Sequence, residues 1–415
     1  MGSDRAVHVV GAGLAGSECA FQLARRGIPV ELWEMRPQRS TPAHHTGDFA
    51  ELVCSNSLRS DDPEHAAGVL KREMEALDSL VIRAARAAAV PAGSALAVDR
   101  ERFARSITLE LEAHPLITLR RQELRALPDG DCVLATGPLT SDAMSQALRA
   151  LLGDEHLAFY DAIAPIVEAE SLDESVLFRA SRYGKGDGDD YLNSPFDREQ
   201  YLAFHRALVE AEVIELRDFE EGLFFEGCLP IEELARRGVD TLRFGPMKPV
   251  GLEDRDGRRP WAVAQLRQEN LARTHYNLVG FQSRMRWPEQ RRVLRTIPGL
   301  ERAVFVRYGQ VHRNTFVNAP LHLDRLYRLK RRPSLRLAGQ LTGVEGYLES
   351  AATGLLAALY LALERATGEP PEALPDTTTL GALARHLTES DPHRFQPANI
   401  NYGLVAPLER PLPRR

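Results

Sequence analysis

Residues 7–16 read VHVVGAGLAG. A β-branched run enters G-x-G-x-x-G at Gly11, Gly13 and Gly16, and SECAFQLARRG then follows with helical spacing and stops on Gly27. A second strand, PVELWEM, carries Glu34. Gly11 permits a tight turn, Gly13 lets a pyrophosphate approach the backbone, and Gly16 lets helix and strand pack closely. Ala12, Leu14 and Ala15 complete a turn whose N–H groups and partial positive charge face the phosphates. Glu34 lies 23 residues after Gly11, close to the spacing of an acid that accepts from a ribose hydroxyl. A lone glycine triplet says little. Strand, turn, helix, second strand and acid in this order predict dinucleotide binding on an α/β fold.

A second cradle stands near the other end. Residues 334–367, SLRLAGQLTGVEGYLESAATGLLAALYLALERATG, read as a strand, a turn through Gly339, Gln340, Gly343 and Gly346, and a long apolar helix. Between the two cradles, CVLATGPL (132–139) is a buried-type strand that ends in a close-approach turn at Gly137. A long cofactor gripped from both ends of the chain favours FAD over NAD, and the arrangement resembles FAD proteins of the glutathione-reductase type. The expected fold is therefore a Rossmann FAD-binding domain, split in sequence, with an inserted α+β domain. Its first part spans 1–140, the insertion 141–299, and its last part 300–415. A helix is expected from Asp99 toward His114, another over DREQYLAFHRALVEAE, and strands at ITLRR, LRFGPM and THYNLVGFQ. The Pro-rich tail after Gly368 is expected to run extended over the surface.

Four cysteines, at 19, 54, 132 and 228, are too few and too scattered for a secreted disulfide scaffold. None forms C-x-x-C, so no metal site is expected. The first residues carry no signal-peptide pattern, and the longest apolar run, 354–363, is far below the ~20 residues of a membrane span. A reduced cytoplasmic protein is expected. Net charge is −6, yet 281–336 holds 14 Lys/Arg against three acids. Such asymmetry can place a basic face on an acidic protein, or can be an ordinary solvated surface.

Two cysteines sit in chemical settings. Cys54, in ELVCSNSLRSDD, follows a strand-like ELV and opens a turn-forming Ser-Asn-Ser. Cys228, in FFEGCLPIEELARRG, precedes Pro230 and a helical pattern, where a helix dipole would favour the thiolate. Either could instead be a small buried hydrophobe. Cys19 and Cys132 read as packing residues.

GAGLAGSECAFQLARRGIPVELWEMRP, HHTGDFAELVCSNSLRSDD, VPAGSALAVDRERF, FFEGCLPIEELARRG, FGPMKPVGLED, RYGQVHRNTF and AGQLTGVEGYLESAATGL together resemble the folate-dependent tRNA uracil-5 methyltransferases (TrmFO). The resemblance runs in order along nearly the whole chain. A more distant likeness is to the tRNA-modifying flavoprotein MnmG. It implies FAD, with methylenetetrahydrofolate and NAD(P)H as co-substrates, and methylation of C5 of the T-loop uridine of tRNA. It further implies Cys228 as the nucleophile at C6 of uracil, Cys54 as acid or base at C5, and Tyr347 close to the flavin. The basic segment would serve the tRNA T arm or the acidic tail of folate, through Arg284, Arg286, Arg291, Arg292, Arg307, His312 and Arg313. Rival readings are the same chemistry on ribosomal RNA, an NAD(P)H-dependent flavin oxidoreductase without RNA, and an RNA-binding flavoprotein that has lost methyl transfer.

Overall fold

The computed structural model describes residues 5–41, 43–153, 164–186, 188–214, 229–309 and 316–407, and the backbone alone of 156–162 and 311–315. Val7, Val9 and Val10 are buried in the strand Val7–Val10. That strand pairs in parallel with Val30–Trp33 on one side and Cys132–Leu134 on the other. The full sheet runs Arg328–Leu329, Arg332–Leu337, Cys132–Leu134, Val7–Val10, Val30–Trp33 and Ile117–Arg120, parallel except for its first pair. A strand covered on both faces reads as a continuous apolar run, as Cys132–Leu134 does, all three residues being buried. The C-terminal strand Arg332–Leu337 lies directly beside Cys132–Leu134, so distant parts of the sequence build one sheet.

Two helices cover the cradle. Leu14–Ala24 is buried along its whole length, and Tyr347–Thr367 packs against it. A Cβ at Gly354 would stand 2.1 Å from the Ala15 carbonyl oxygen, so only glycine admits this crossing. The helix expected from Asp99 is Arg100–Ala113, with the Asp99 side chain accepting from the Arg102 N–H. Such a cap stabilises by about 1 kcal/mol.

A second, antiparallel sheet runs Phe178–Arg179, Tyr191–Phe196, Ala262–Gln268, His275–Leu278, Ile166–Glu168 and Phe305–Arg307. Its core, around Tyr201, Phe204, Phe281 and Leu294, is separate from that of the parallel sheet. The helix expected over DREQYLAFHRALVEAE is Arg198–Val209, closed by an Asp197–Gln200 capping box. The chain leaves the first core along His156–Ala162 and returns along Val311–Val317, and these two segments pair antiparallel. We propose that crossing as the division between the units. It moves both expected boundaries, because the helix Asp142–Leu152 belongs to the first core and Phe305–Arg307 to the second sheet.

Three expectations are corrected. Thr241–Phe244 within the expected strand LRFGPM is a helical turn. Leu242 is buried while Phe244 is 82% exposed, and a strand would put both on one face. Residues 51–53 form no ladder, because arginine side chains take their carbonyls, and the strand Ser57–Ser60 comes later. The tail is not simply extended. TLGALARHLTE forms the helix Thr379–Glu389, which buries Leu380, Leu383 and Leu387 at helical spacing. Among the described residues no helix is long and apolar enough to cross a membrane, and no cluster of three or more metal-ligating side chains occurs.

Candidate active site

The three glycines of the first turn do different work. Gly11 takes φ +96°, and a Cβ there would meet the Ala135 carbonyl oxygen at 2.5 Å. A Cβ on Gly16 would meet the Gly11 carbonyl oxygen at 1.7 Å. A Cβ on Gly13 would meet nothing within 4 Å. Two glycines are thus required by the protein's own packing, whereas the third faces a cavity. That cavity is lined by Gly11, Gly13, Leu14, Ala15, Glu34, Gly137, Gly339, Gln340 and Tyr347 among others. Residues of both cradles therefore line one shared space. Ala12 and Gly16 stand behind the lining. Ala12 gives its N–H to Glu34, and Ser17 donates to its carbonyl. Gly343 and Gly346 shape the second turn at φ +86° and +102°.

Glu34 closes one wall. Its Oε2 accepts from the Ala12 N–H at 2.9 Å, and its Oε1 accepts from the Arg36 backbone and Nε at 3.0 Å each. Burial works against its charge, but the Arg36 guanidinium and these bonds win and hold the carboxyl below its ordinary value. Arg36 also pairs with Glu51 at 3.0 Å. Burial and Arg36 push His44, on the same wall, down to about 4. The wall therefore presents a neutral imidazole at neutral pH.

The Cys54 turn meets the cavity at Tyr347. The Tyr347 hydroxyl accepts from the Cys54 N–H at 2.6 Å and the Ser55 N–H at 3.1 Å. Desolvation, and then the neighbouring Cys54, push this phenol up, so it keeps its proton. Arg100 donates to the Leu52 carbonyl at 2.5 Å and the Cys54 carbonyl at 3.2 Å, and Arg307 to the Val53 carbonyl. Buried Asn56 donates to the Val98 and Gln268 carbonyls and accepts from Arg267, which also donates to Ser55 Oγ. Both units of the fold thus grip one short turn. Burial opposes the charge of Arg100, and its pair with Glu269 restores it to above the ordinary value.

The profile of the family described as "Glucose inhibited division protein A" matches residues 6–369. The protein named methylenetetrahydrofolate--tRNA-(uracil-5-)-methyltransferase TrmFO in Geobacter sulfurreducens is 57% identical over 406 residues, 97% of this chain and 93% of that protein. The Moorella thermoacetica protein of the same name is 57% identical over 415 residues, 100% of this chain and 94% of that protein. The chain belongs to the TrmFO family. Among solved structures, GidA of Aquifex aeolicus (form II crystal) superposes with a TM-score of 0.70 at 18% identity, over 93% of this chain and 68% of that one. The architecture is the Rossmann-like FAD-binding fold that these family members share.

The remaining TrmFO-type positions scatter. Cys228 lies outside the described residues, as do the side chains of His312 and Arg313. The helix after Pro230 is only Ile231–Arg236, with Pro230 as its N-cap and Glu232 and Glu233 in its first turn. Arg284 is held by Glu233, and Arg292 pairs with Glu289 at 2.7 Å. Arg291 donates to the Tyr308 hydroxyl at 3.0 Å, and Arg286 stands 3.7 Å from Glu212. Of the basic candidates whose side chains are described, only Arg307 is seen at the Cys54 turn. Cys19 and Cys132 are packing residues, with burial pushing the Cys132 thiol up to about 12. Sequence reasoning missed Arg36, Arg100, Arg267, Glu269 and Asn56. Arg100 follows the Asp99 cap, but nothing in the pattern separates it from a solvated helix arginine.

Proposed function

We propose that the protein methylates C5 of the T-loop uridine of tRNA (position 54), with FAD as resident cofactor, methylenetetrahydrofolate as one-carbon donor and NAD(P)H as reductant. The observation that carries the proposal is the Cys54 turn, clamped by Tyr347, Arg100 and Arg307 beside a cavity that both glycine cradles line. Near full-length identity of 57% to proteins named for this reaction supports it.

The open space over Gly13 suits a pyrophosphate, since no side chain competes for the helix N-terminus. Glu34 offers its remaining lone pairs to a ribose hydroxyl, and Gly137, Gly339 and Gln340 line the rest of the path. When bound, FAD supplies the two electrons that convert a transferred methylene into a methyl. The chain's own groups do the rest. The Cys228 thiolate adds to C6 of uracil, which makes C5 nucleophilic toward the one-carbon unit. Cys54 removes the C5 proton, and loss of Cys228 from C6 restores the double bond. Uridine, methylenetetrahydrofolate, NAD(P)H and a proton thereby give 5-methyluridine, tetrahydrofolate and NAD(P)⁺. Tyr347 positions the Cys54 turn through its two accepted N–H groups.

The test uses FAD-loaded protein, unmodified tRNA transcript, methylenetetrahydrofolate and NADPH, followed by nucleoside analysis. 5-Methyluridine is expected at position 54, and is expected to vanish in Cys228→Ala and Cys54→Ala while flavin content holds. NADPH consumption without modified nucleoside would replace this reading with the plain oxidoreductase.

A further inference from the structure

We propose that the three-ring column Trp287–Tyr308–Phe305 is a stacking platform for an unpaired RNA base, held beside the cofactor cavity by Arg307. The inference rests on the RNA substrate proposed above and names the surface that receives it. The Tyr308 ring lies 5.7 Å from that of Trp287 at 20°, and 5.1 Å from that of Phe305 at 19°. Three near-parallel rings in a row have two ends. The end at Trp287 is open, for this indole is 53% exposed. Tryptophan is highly buried on average, so a half-exposed indole already stacked on one face points to a ring still to come.

The column is held in place. Trp287 opens the helix Trp287–Leu294, with Pro288 setting its first turn. Gln290, fully buried, donates to the Met285 and Gly309 carbonyls and accepts from the Gly309 N–H at 2.7 Å. That exchange fixes the chain next to Tyr308 onto the helix. Two cations accompany the rings. Arg291 donates to the Tyr308 hydroxyl and has no carboxylate partner among the described residues. Arg286, the residue before Trp287, is exposed and only loosely paired at 3.7 Å with Glu212. An aromatic face flanked by guanidinium groups is what single-stranded nucleic acid recognition uses: the ring takes the base and the cations take the phosphates. The surplus of cations favours RNA over a protein partner.

Position supports the same reading. Arg307, which precedes Tyr308, donates to the Val53 carbonyl, and Val53 lines the cofactor cavity. One side chain therefore ties the column to the Cys54 turn. A uridine drawn out of a folded loop into that site leaves a neighbour without its stack, and the indole supplies a replacement.

The experiment measures the affinity of FAD-loaded protein for unmodified tRNA transcript at fixed salt, with methyl transfer assayed in parallel. Trp287→Ala should weaken binding by about 5- to 150-fold, the range of one lost base stack, and raise KM more than it lowers kcat. Trp287→Phe should keep most of the affinity. Arg291→Gln should reduce the slope of log affinity on log salt by about 0.7 to 0.9. Unchanged flavin absorbance and melting temperature establish that the variants fold. If Trp287→Ala misfolds, Trp287→Phe and Arg291→Gln decide. Wild-type affinity and KM in Trp287→Ala, with methyl transfer intact, would overturn the platform and leave the proposed reaction standing. Altered self-association with unchanged RNA binding would overturn it in favour of a protein contact. Loss of RNA binding in Trp287→Ala, with no methyl transfer even by the wild type, would support the platform and reject the reaction.

Discussion

The Tyr347 hydroxyl holds the Cys54 turn at the cavity, and its removal separates binding from chemistry. Tyr347→Phe leaves two backbone N–H groups without their acceptor, at a cost of about 1–3 kcal/mol. FAD should stay bound while methyl transfer falls at least tenfold, as read by flavin absorbance and product formation on the same sample. The glycines allow a sharper contrast. Gly13→Val places its side chain in open space, so the protein should melt near the wild-type temperature and lose flavin. Gly16→Ala collides with the Gly11 carbonyl and should lower the melting temperature first. Lys71 gives a pH signature. It is fully buried, donates to the Ser60 carbonyl at 2.7 Å, and burial drives it down to about 8. The folded state releases this proton near pH 8 and the unfolded chain near 10.4. Between these values the unfolded state binds more protons, so stability rises with pH. Melting of the wild type against Lys71→Met from pH 7 to 10.5 should show that relative gain, and a flat difference would contradict it.

Elements differ in how plainly they show in the sequence. The strand–turn–helix of residues 7–24 was legible because local chemistry decides it: β-branched residues, then glycines whose Cβ positions are blocked or open, then a helix rich in Ala and Leu. The second glycine turn was legible for the same reason, whereas Tyr347 was singled out only through the resemblance to TrmFO. The segment 51–56 was not. Its ELV reads as a strand, but its carbonyls are claimed by Arg100 and Arg307 from far along the chain. No local pattern reports a partner 46 residues away. The tail helix Thr379–Glu389 was masked by the prolines around it, although Leu380, Leu383 and Leu387 carry helical spacing. The basic run 281–336 was legible as charge but not as function. Only the folded chain shows Arg284 and Arg292 spent on glutamates while Arg291 rests on a tyrosine.

At the scale of the molecule, the site exists only where the two sheets meet. Arg100, on a helix of the first unit, pairs with Glu269 at the end of the second sheet and holds the Cys54 turn between them. Glu269 is 5% exposed. Arg100→Ala would leave it buried without its partner, and such truncations cost about 3–5 kcal/mol. Arg100→Ala should therefore lower stability by about that amount and methyl transfer with it, whereas Arg100→Met with Glu269→Leu should recover stability without recovering activity. Thermal melts and product assays on the three proteins check this. In the proposed reaction the methyl carbon comes from folate and ends on tRNA. The most direct measurement supplies methylenetetrahydrofolate deuterated in its methylene group, with NADPH and unmodified tRNA transcript, and weighs the nucleosides by mass spectrometry. 5-Methyluridine at position 54 is expected to carry both methylene deuteriums. Flavin-loaded protein that yields 5-methyluridine without deuterium, or none at all, would contradict it.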